Sequence, residues 1–260
     1  IDAGVHIYKF ACVIHKSLLY KMKSPTEEYP HSEFQRQLCE SFLQFCLNWM
    51  KRGVKPIIVF DGKINPMKEA CVELRREGKT KKRENSEAAI EAFLQLSPLE
   101  ITPDIEKQLL KIRSQLPSLR NEDFECIKSM LTSIGIPVLT AEFDSEKLCV
   151  SLCIEGLVTA VLSNDSDTFP LGCPYTITDH NFSNDTFEIR DLNVILQYFM
   201  TEFNCAQEYT LNLFIDFCIM LGCDFNERIP GVGPAGVLKC LKKYGCIEYV
   251  AYEKNITCLN

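Results

Sequence analysis

The chain has a single tryptophan, only four histidines, and no apolar run near the ~18 residues a membrane-spanning helix needs. No signal peptide is visible. There is no internal repeat and no low-complexity tract, which excludes solenoids and biased-composition linkers. No paired C-x-x-C frames a structural zinc site, and Cys12-x-x-His15 stands alone. Positive charge is also short: the net charge is −7, which taken alone argues against a nucleic-acid partner. What is plentiful is cysteine, 14 residues, set mostly inside apolar patterns at Cys39, Cys46, Cys149, Cys153 and Cys218. A secreted disulfide scaffold would be smaller and loop-rich, so these read as reduced, buried thiols of a nuclear or cytoplasmic protein that is not secreted. A hydrophobic content of 46% over 260 residues supports one large or two modest domains and excludes global disorder.

The charge is uneven. Lys68, Arg75, Arg76, Lys79, Lys81, Lys82 and Arg83 crowd one stretch, and Lys239, Lys242 and Lys243 form a second group. Binding follows the local field rather than the sum. Helical spacing of Phe34, Leu38, Phe42, Phe45 and Trp49 predicts a helix over 31–52, and a second is expected over 7–22. Residues 56–60 read as a buried strand. Residues 66–118 differ in texture: charged, with breaks at Pro98 and Pro103, they read as an inserted helical region. A helix is expected over 122–134, capped by Asn121 or Asp123 and stopped by Gly135, then a short strand over 136–139. Residues 157–162 read as a further strand, 174–177 and 186–189 as edge strands, and 206–260 as helical around the turn Gly231-Val232-Gly233-Pro234. Alternating strands and helices predict an α/β core with a mainly parallel sheet.

Seven acids sit at the ends of these elements: Asp2, Asp61, Asp144, Glu146, Asp165, Asp167 and Asp224. Ile1-Asp2 reads as the tail of a strand whose beginning is cut off. Each acid alone has a bland explanation. Asp61-Gly62 is a common turn pair, Asn164-Asp165-Ser166-Asp167 suits an Asx turn or cap, Asp144 and Glu146 suit a helix first turn, and Asp224 suits a surface helix end. Their joint placement is more specific, because ligands of open α/β sheets gather beyond the carboxyl ends of the strands. Packed carboxylates repel unless cations lie between them. With no Cys or His among them, Mg²⁺ or Mn²⁺ fits better than zinc. Two such ions about 3.5–4 Å apart can activate a water and stabilise the leaving oxygen of a phosphodiester.

In order along the chain, Ile1-Asp2-Ala3, Ile7-Tyr8, Val59-Phe60-Asp61-Gly62-Lys63, Asp144-x-Glu146, Asn164-Asp165-Ser166-Asp167 and Gly222-Cys223-Asp224 through Gly231-Val232-Gly233-Pro234 resemble the flap endonuclease/XPG family of structure-specific 5′ nucleases. Gly135-Ile136-Pro137 and Phe214-Ile215-Asp216 fit as well. The resemblance implies a PIN-like, 5′-3′ exonuclease-type α/β fold. Residues 1–205 would be the nuclease core with a helical arch over about 66–118, and 206–260 a truncated helix–turn–helix segment for duplex DNA. It implies that the seven acids hold two Mg²⁺ ions, which Mn²⁺ can replace, and that Lys68 and Arg75 are the catalytic basic pair on a helix above them. Seven residues is about two helical turns, so the two would point the same way. It implies that Tyr8 stacks a base beside the cut, and that Gly231 and Gly233 approach a phosphate and share a K⁺ ion. Lys242 and Lys243 would add phosphate contacts or be a solvated face. The implied partner is branched or 5′-flap duplex DNA, with a sliding clamp engaged through regions not in this chain.

Two departures from the family pattern stand out. Asp144 occupies a slot where Glu is usual, and Ala235-Gly236 replaces a common Lys-Arg pair. The family's Gly-Ile segment before Ile1 and a clamp-binding motif before Asn260 are not seen. Two other readings stay open: a catalytically silent nucleic-acid-binding scaffold of the same fold, and a metal-dependent phosphatase on a related sheet.

Overall fold

The computed structural model describes residues 1–226, 228–229 and 231–254. They divide into two interleaved bodies. One comprises residues 3–61 and 72–140, the other residues 1–2, 62–71 and 141–260.

The first body is built on two helices, α1 (Ala3–Leu19) and α2 (His31–Met50). Ile7, Ala11, Ile14 and Leu18 recur at helical spacing on α1, and Phe34, Leu38, Phe42, Phe45 and Trp49 on α2; all are buried. Phe10 meets Phe45 edge-on at 5.7 Å. Each such side chain contributes about 1.5–3 kcal/mol by leaving water. The parallel pair β1 (Ile58–Phe60) and β2 (Val138–Thr140) runs in register from Ile58 opposite Val138. Most of α3 (Glu69–Leu94), α4 (Pro103–Arg113) and α5 (Asn121–Ser133) complete the body. On α3 the only buried side chain is Phe93, and on α4 only Leu109 and Arg113 are buried. The segment 66–118 thus has the polar, outward texture read from its composition.

The second body holds the three-stranded sheet β3 (Val161–Leu162), β4 (Tyr175–Asn181) and β5 (Thr186–Asp191), parallel between the first two and antiparallel between the last two. The Asp2 amide donates to the Leu162 carbonyl at 3.1 Å, so Ile1-Asp2 lies alongside β3. Helix α6 (Ser145–Ile154) precedes β3, and α7 (Leu192–Phe203), α8 (Gln207–Leu221), α9 (Pro234–Tyr244) and α10 (Ile247–Lys254) follow the sheet. Phe199 packs against Phe203, Phe214 and Phe217 with ring centres 5.3–5.7 Å apart, and Met220, Ile229, Val237, Leu241 and Val250 form the adjoining cluster. Residues 206–254 therefore share a body with the sheet.

Several boundaries differ from expectation. The first helix begins at Ala3 and ends at Leu19, four residues earlier than expected at its start. The strand expected over 157–162 shortens to Val161–Leu162, because the amides of Leu157 and Val158 both bond to the Leu152 carbonyl and finish α6 instead. Asn121 is the first residue of α5 and not its cap; Asp123 reaches back to accept the Arg120 amide at 2.8 Å. The helix α7 was not foreseen: its aromatic-rich sequence fits a strand as well as a helix until Asp191 caps the Asn193 amide at 2.8 Å.

Candidate functional site

Asp144 stands at the N-terminal boundary of α6 with extended backbone, yet its side chain makes no capping bond. It points instead to Lys68, whose Nζ lies 3.2 Å from Asp144 Oδ2 and 3.5 Å from Asp224 Oδ2. The Lys68 side chain is only 12% exposed, so solvent screens these pairs weakly. Burial pulls the Lys68 pKa down, but Asp144, Asp224 and Glu146 outweigh it and the net shift is upward. The ammonium stays charged. Acids from two distant segments, the start of α6 and the turn after α8, therefore meet around one cation. Phe225 lies beneath the same ammonium, 4.9 Å from its ring centre. The Cys71 thiol donates to Asp224 Oδ1 at 3.4 Å.

Asp2 is 1% exposed. Its two carboxylate oxygens accept the hydroxyls of Ser145 and Ser163, each at 3.0 Å. Ser163 ends β3 and its oxygen also accepts the Asp165 amide at 3.1 Å. Asp165 in turn caps the 3-10 turn Ser166–Thr168 by accepting the Asp167 amide at 2.9 Å. The capping role read for this acid run is therefore real for Asp165. Burial pushes the Cys149 thiol up to about 11, with Asp2 and Glu146 adding to it, and the Cys218 thiol on α8 up to about 12, with Asp167 adding. Six of the seven acids thus belong to one body, and Asp61 closes β1 in the other.

Gly62 follows Asp61 and fixes the local path of the backbone. Its amide donates to the Phe143 carbonyl at 2.7 Å, and Lys63 to Glu142 at 2.9 Å. A Cβ on Gly62 would fall 2.0 Å from the Ala141 carbonyl oxygen, so the Asp-Gly pair is required by close approach and not by turn propensity alone.

Lys68 ends a 3-10 turn over Pro66–Lys68, started by Asn65 accepting the Met67 amide, and α3 follows directly from Glu69. Arg75 lies on α3, in the part that belongs to the first body. Tyr8, also of the first body, is 41% exposed on α1, with Lys79 Nζ 6.0 Å from its ring centre. In the second body Gly231 has φ +73° and Gly233 precedes Pro234, the first residue of α9. Residues 231–236, Lys239 and Cys240 line an open concavity of ≈ 550 Å³. Gly236 is explained by packing: a Cβ there would meet Val232 Cγ1 at 2.9 Å. Lys242 is engaged by Glu202, and Lys243 donates to the Tyr244 hydroxyl at 2.9 Å.

Among the described residues no group of three or more Asp, Glu, His or Cys side chains is arranged to hold a metal ion. The donor set nonetheless fits a hard divalent cation in kind. It is all carboxylate oxygen, and one pair already shares a positive charge. Sequence reading missed Ser145, Ser163, Cys71 and Phe225. Serine between Asp144 and Glu146, and serine at the strand end before Asn164-Asp165, were the available signals for the first two.

Comparison with known proteins identifies the family. The XPG N-terminal domain matches residues 1–83 and the XPG I-region residues 135–224. Flap endonuclease 1 of Micromonas commoda is 32% identical over 248 residues, covering 95% of this chain and 59% of that protein. Flap endonuclease 1 of Ostreococcus lucimarinus is 30% identical over 257 residues, covering 97% and 59%. The chain therefore spans about six-tenths of the length of these relatives. Among solved structures, flap endonuclease-1 from Methanococcus jannaschii superposes with a TM-score of 0.59 at 20% identity, covering 97% of this chain and 72% of that one. The catalytic core of Rad2 in complex with DNA substrate superposes with a TM-score of 0.58 at 20% identity, covering 98% and 64%. The chain belongs to the flap endonuclease/XPG family, and its fold is the PIN-like α/β fold of those nucleases.

Proposed function

We propose that this chain carries the nuclease core of a Mg²⁺-dependent, structure-specific 5′ nuclease that hydrolyses phosphodiesters in 5′-flap or 5′-ended branched DNA during replication, repair or recombination. The observation that carries the reading is the gathering of Asp144, Glu146 and Asp224 around the Lys68 ammonium, from segments far apart in sequence. Asp2, Asp61, Asp144, Glu146, Asp165, Asp167 and Asp224 would hold the ions, with Mn²⁺ able to replace Mg²⁺. Bound there, paired divalent ions supply an activated water and charge neutralisation at the leaving oxygen.

The chain's own residues do the remaining work. The two serine hydroxyls donate to both oxygens of Asp2 and fix its orientation. Lys68, still protonated, is placed to pair with a phosphate once one enters, and Arg75 supplies the bidentate donor suited to the same group. Tyr8 offers an exposed ring with the Lys79 ammonium beside it, an aromatic–basic pairing that suits unpaired bases of any sequence. The Gly231–Gly233 turn ahead of α9 would present amides to a duplex phosphate and would be the place to hold K⁺. Recognition then rests on shape and backbone charge and weakens steeply with salt.

The test is a labelled 5′-flap duplex incubated with Mg²⁺ and either the native chain or Asp165→Asn. Cleavage by the first and not the second is expected; equal rates reject the proposal. One observation favours a second reading, a catalytically silent DNA-binding scaffold: Lys68 already neutralises part of the acidic group from within the chain. That scaffold would bind the flap substrate and cut at no concentration of Mg²⁺ or Mn²⁺.

A further inference from the structure

Fourteen cysteines are far more than the proposed chemistry uses. Five of those described are out of reach of solvent: Cys46, Cys149, Cys153, Cys173 and Cys240 are buried. One pair combines partial exposure with direct thiol–thiol contact. Cys39 on α2 and Cys126 on α5 are both partly exposed, and the Cys39 thiol donates to Cys126 Sγ across 3.4 Å. The two residues are 87 positions apart, so their meeting is a product of the fold and not of local sequence. Both helices belong to one body, and α2 packs on α5 there. Leu38 and Phe42 flank Cys39 on the buried side of α2, and Ile127 and Leu131 do the same beside Cys126.

We propose that Cys39 and Cys126 form a reversible dithiol–disulfide couple, a modification site closed by a small disulfide of the glutathione class. A disulfide needs its sulfurs about 2.05 Å apart, so closure asks for roughly 1.3 Å of approach. The chemistry is thiol–disulfide exchange and balances without any other reagent. The Cys126 thiolate attacks one sulfur of the oxidant, whose S–S bond breaks, and the leaving thiolate takes up a proton. Cys39 then gives its proton to water and attacks Cys126 Sγ, expelling the second small thiolate, which is protonated in turn. Two protein thiols are oxidised by two electrons, and one small disulfide becomes two thiols.

The order of attack follows from where the proton is held. Burial pushes the Cys39 thiol up to about 12, with the bond to Cys126 and the Asp123 and Glu40 carboxylates adding to it. Cys39 is therefore the proton donor of the pair, and the slow, resolving thiol. The cross-link would tie together the helices on either side of β1, α3 and α4, and so close a loop around the whole helical insertion. It requires nothing of the nuclease reading and stands or falls separately from it.

The experiment equilibrates the full chain in buffers of fixed reduced and oxidised glutathione, traps free thiols with an alkylating reagent, and maps peptides without reduction. The expected result is a Cys39–Cys126 cross-linked peptide, lighter by two hydrogens. Its population should follow a two-electron dependence on the glutathione ratio and return to thiols with dithiothreitol. In Cys39→Ser, Cys126 should stop at a stable glutathione adduct. In Cys126→Ser, Cys39 should form its glutathione adduct more slowly than Cys126 does in Cys39→Ser. Glutathione adducts on the native chain without the cross-link would overturn the proposal, as would a cross-link to any other cysteine. Equal adduct rates in the two variants would overturn the order of attack.

Discussion

Replacing Ser163 with alanine is the sharpest probe of how the acids are held. The hydroxyl is fully buried, donates to Asp2 Oδ2 at 3.0 Å and accepts the Asp165 amide at 3.1 Å. A bond to a charged acceptor contributes about 1.5–3 kcal/mol and a neutral one about 1 kcal/mol. Ser163→Ala should therefore destabilise the chain by about 2–4 kcal/mol, a factor of roughly thirty or more in the folded ratio. Ser145→Ala removes the other Asp2 contact, a bond worth about 1.5–3 kcal/mol. The cost arises because a buried carboxylate that loses a donor retains its desolvation penalty. In an Asp2→Asn background the same Ser163→Ala change should cost about 1 kcal/mol less, since the acceptor is then neutral. Urea unfolding followed by far-UV circular dichroism measures the four variants and the native chain, with a constant slope confirming that only stability has changed. A Ser163→Ala midpoint at the native value, or a Ser163→Ala loss as large in the Asp2→Asn background as in the native chain, would refute the account.

Arg113 is buried and donates to the carbonyls of Pro25 and Glu27, while its carboxylate partner Glu28 is 76% exposed. Arg113→Met should therefore cost about 2–4 kcal/mol in thermal or urea unfolding, and Glu28→Gln under about 1 kcal/mol. His15 bonds to the Arg113 carbonyl and the Tyr29 hydroxyl, and burial holds its pKa below the ordinary 6.5. The unfolded chain thus binds the proton more readily, so stability is full above about pH 6.5 and falls as pH drops through the window beneath it. His15→Gln should flatten that slope in a pH series of unfolding midpoints. Gly62→Ala should destabilise by about 3 kcal/mol or more, because its Cβ meets backbone oxygen that cannot turn aside. A loss under about 1 kcal/mol in the same unfolding assay would show that residues 141–143 yield.

The parts that sequence made legible are those governed by short-range rules. The α2 core face was plain from Phe34 to Trp49 because helical periodicity and burial coincide there. The acids stand out in the sequence because the ends of buried strands leave polar residues little choice of place. What escaped is whatever depends on two segments meeting. Ser145 and Ser163 look like ordinary cap and turn residues until both are seen to face Asp2. Cys39 and Cys126 each sit in an amphipathic helix, and nothing in either helix points to the other. The short β3 was over-read because Leu157 and Val158 are apolar, yet the end of a helix claimed their amides. Asp144 shows the same limit from the opposite side: the cap position was correctly placed, but the cap bond is absent because the carboxylate is turned to Lys68.

That last choice bears on how an acidic protein can work on an anionic polymer. Asp144 forgoes a local bond worth about 1 kcal/mol to an α6 amide and takes a partner 76 positions away in sequence. The ion pair sits where Lys68 is 12% exposed and where Asp224 and Glu146 add to the same field. A net charge of −7 therefore overstates the repulsion a phosphate would meet here, because part of it is cancelled at short range. Replacing Lys68 with methionine removes that cancellation and leaves Asp144 and Asp224 facing each other without it. Lys68→Met should weaken binding of a 5′-flap duplex in the absence of divalent ions, and more so at 50 mM than at about 200 mM salt, where screening substitutes for the lost ammonium. Fluorescence anisotropy at the two salt concentrations measures this. A loss of affinity that is the same at both would mean that Lys68 acts by shape and not by charge.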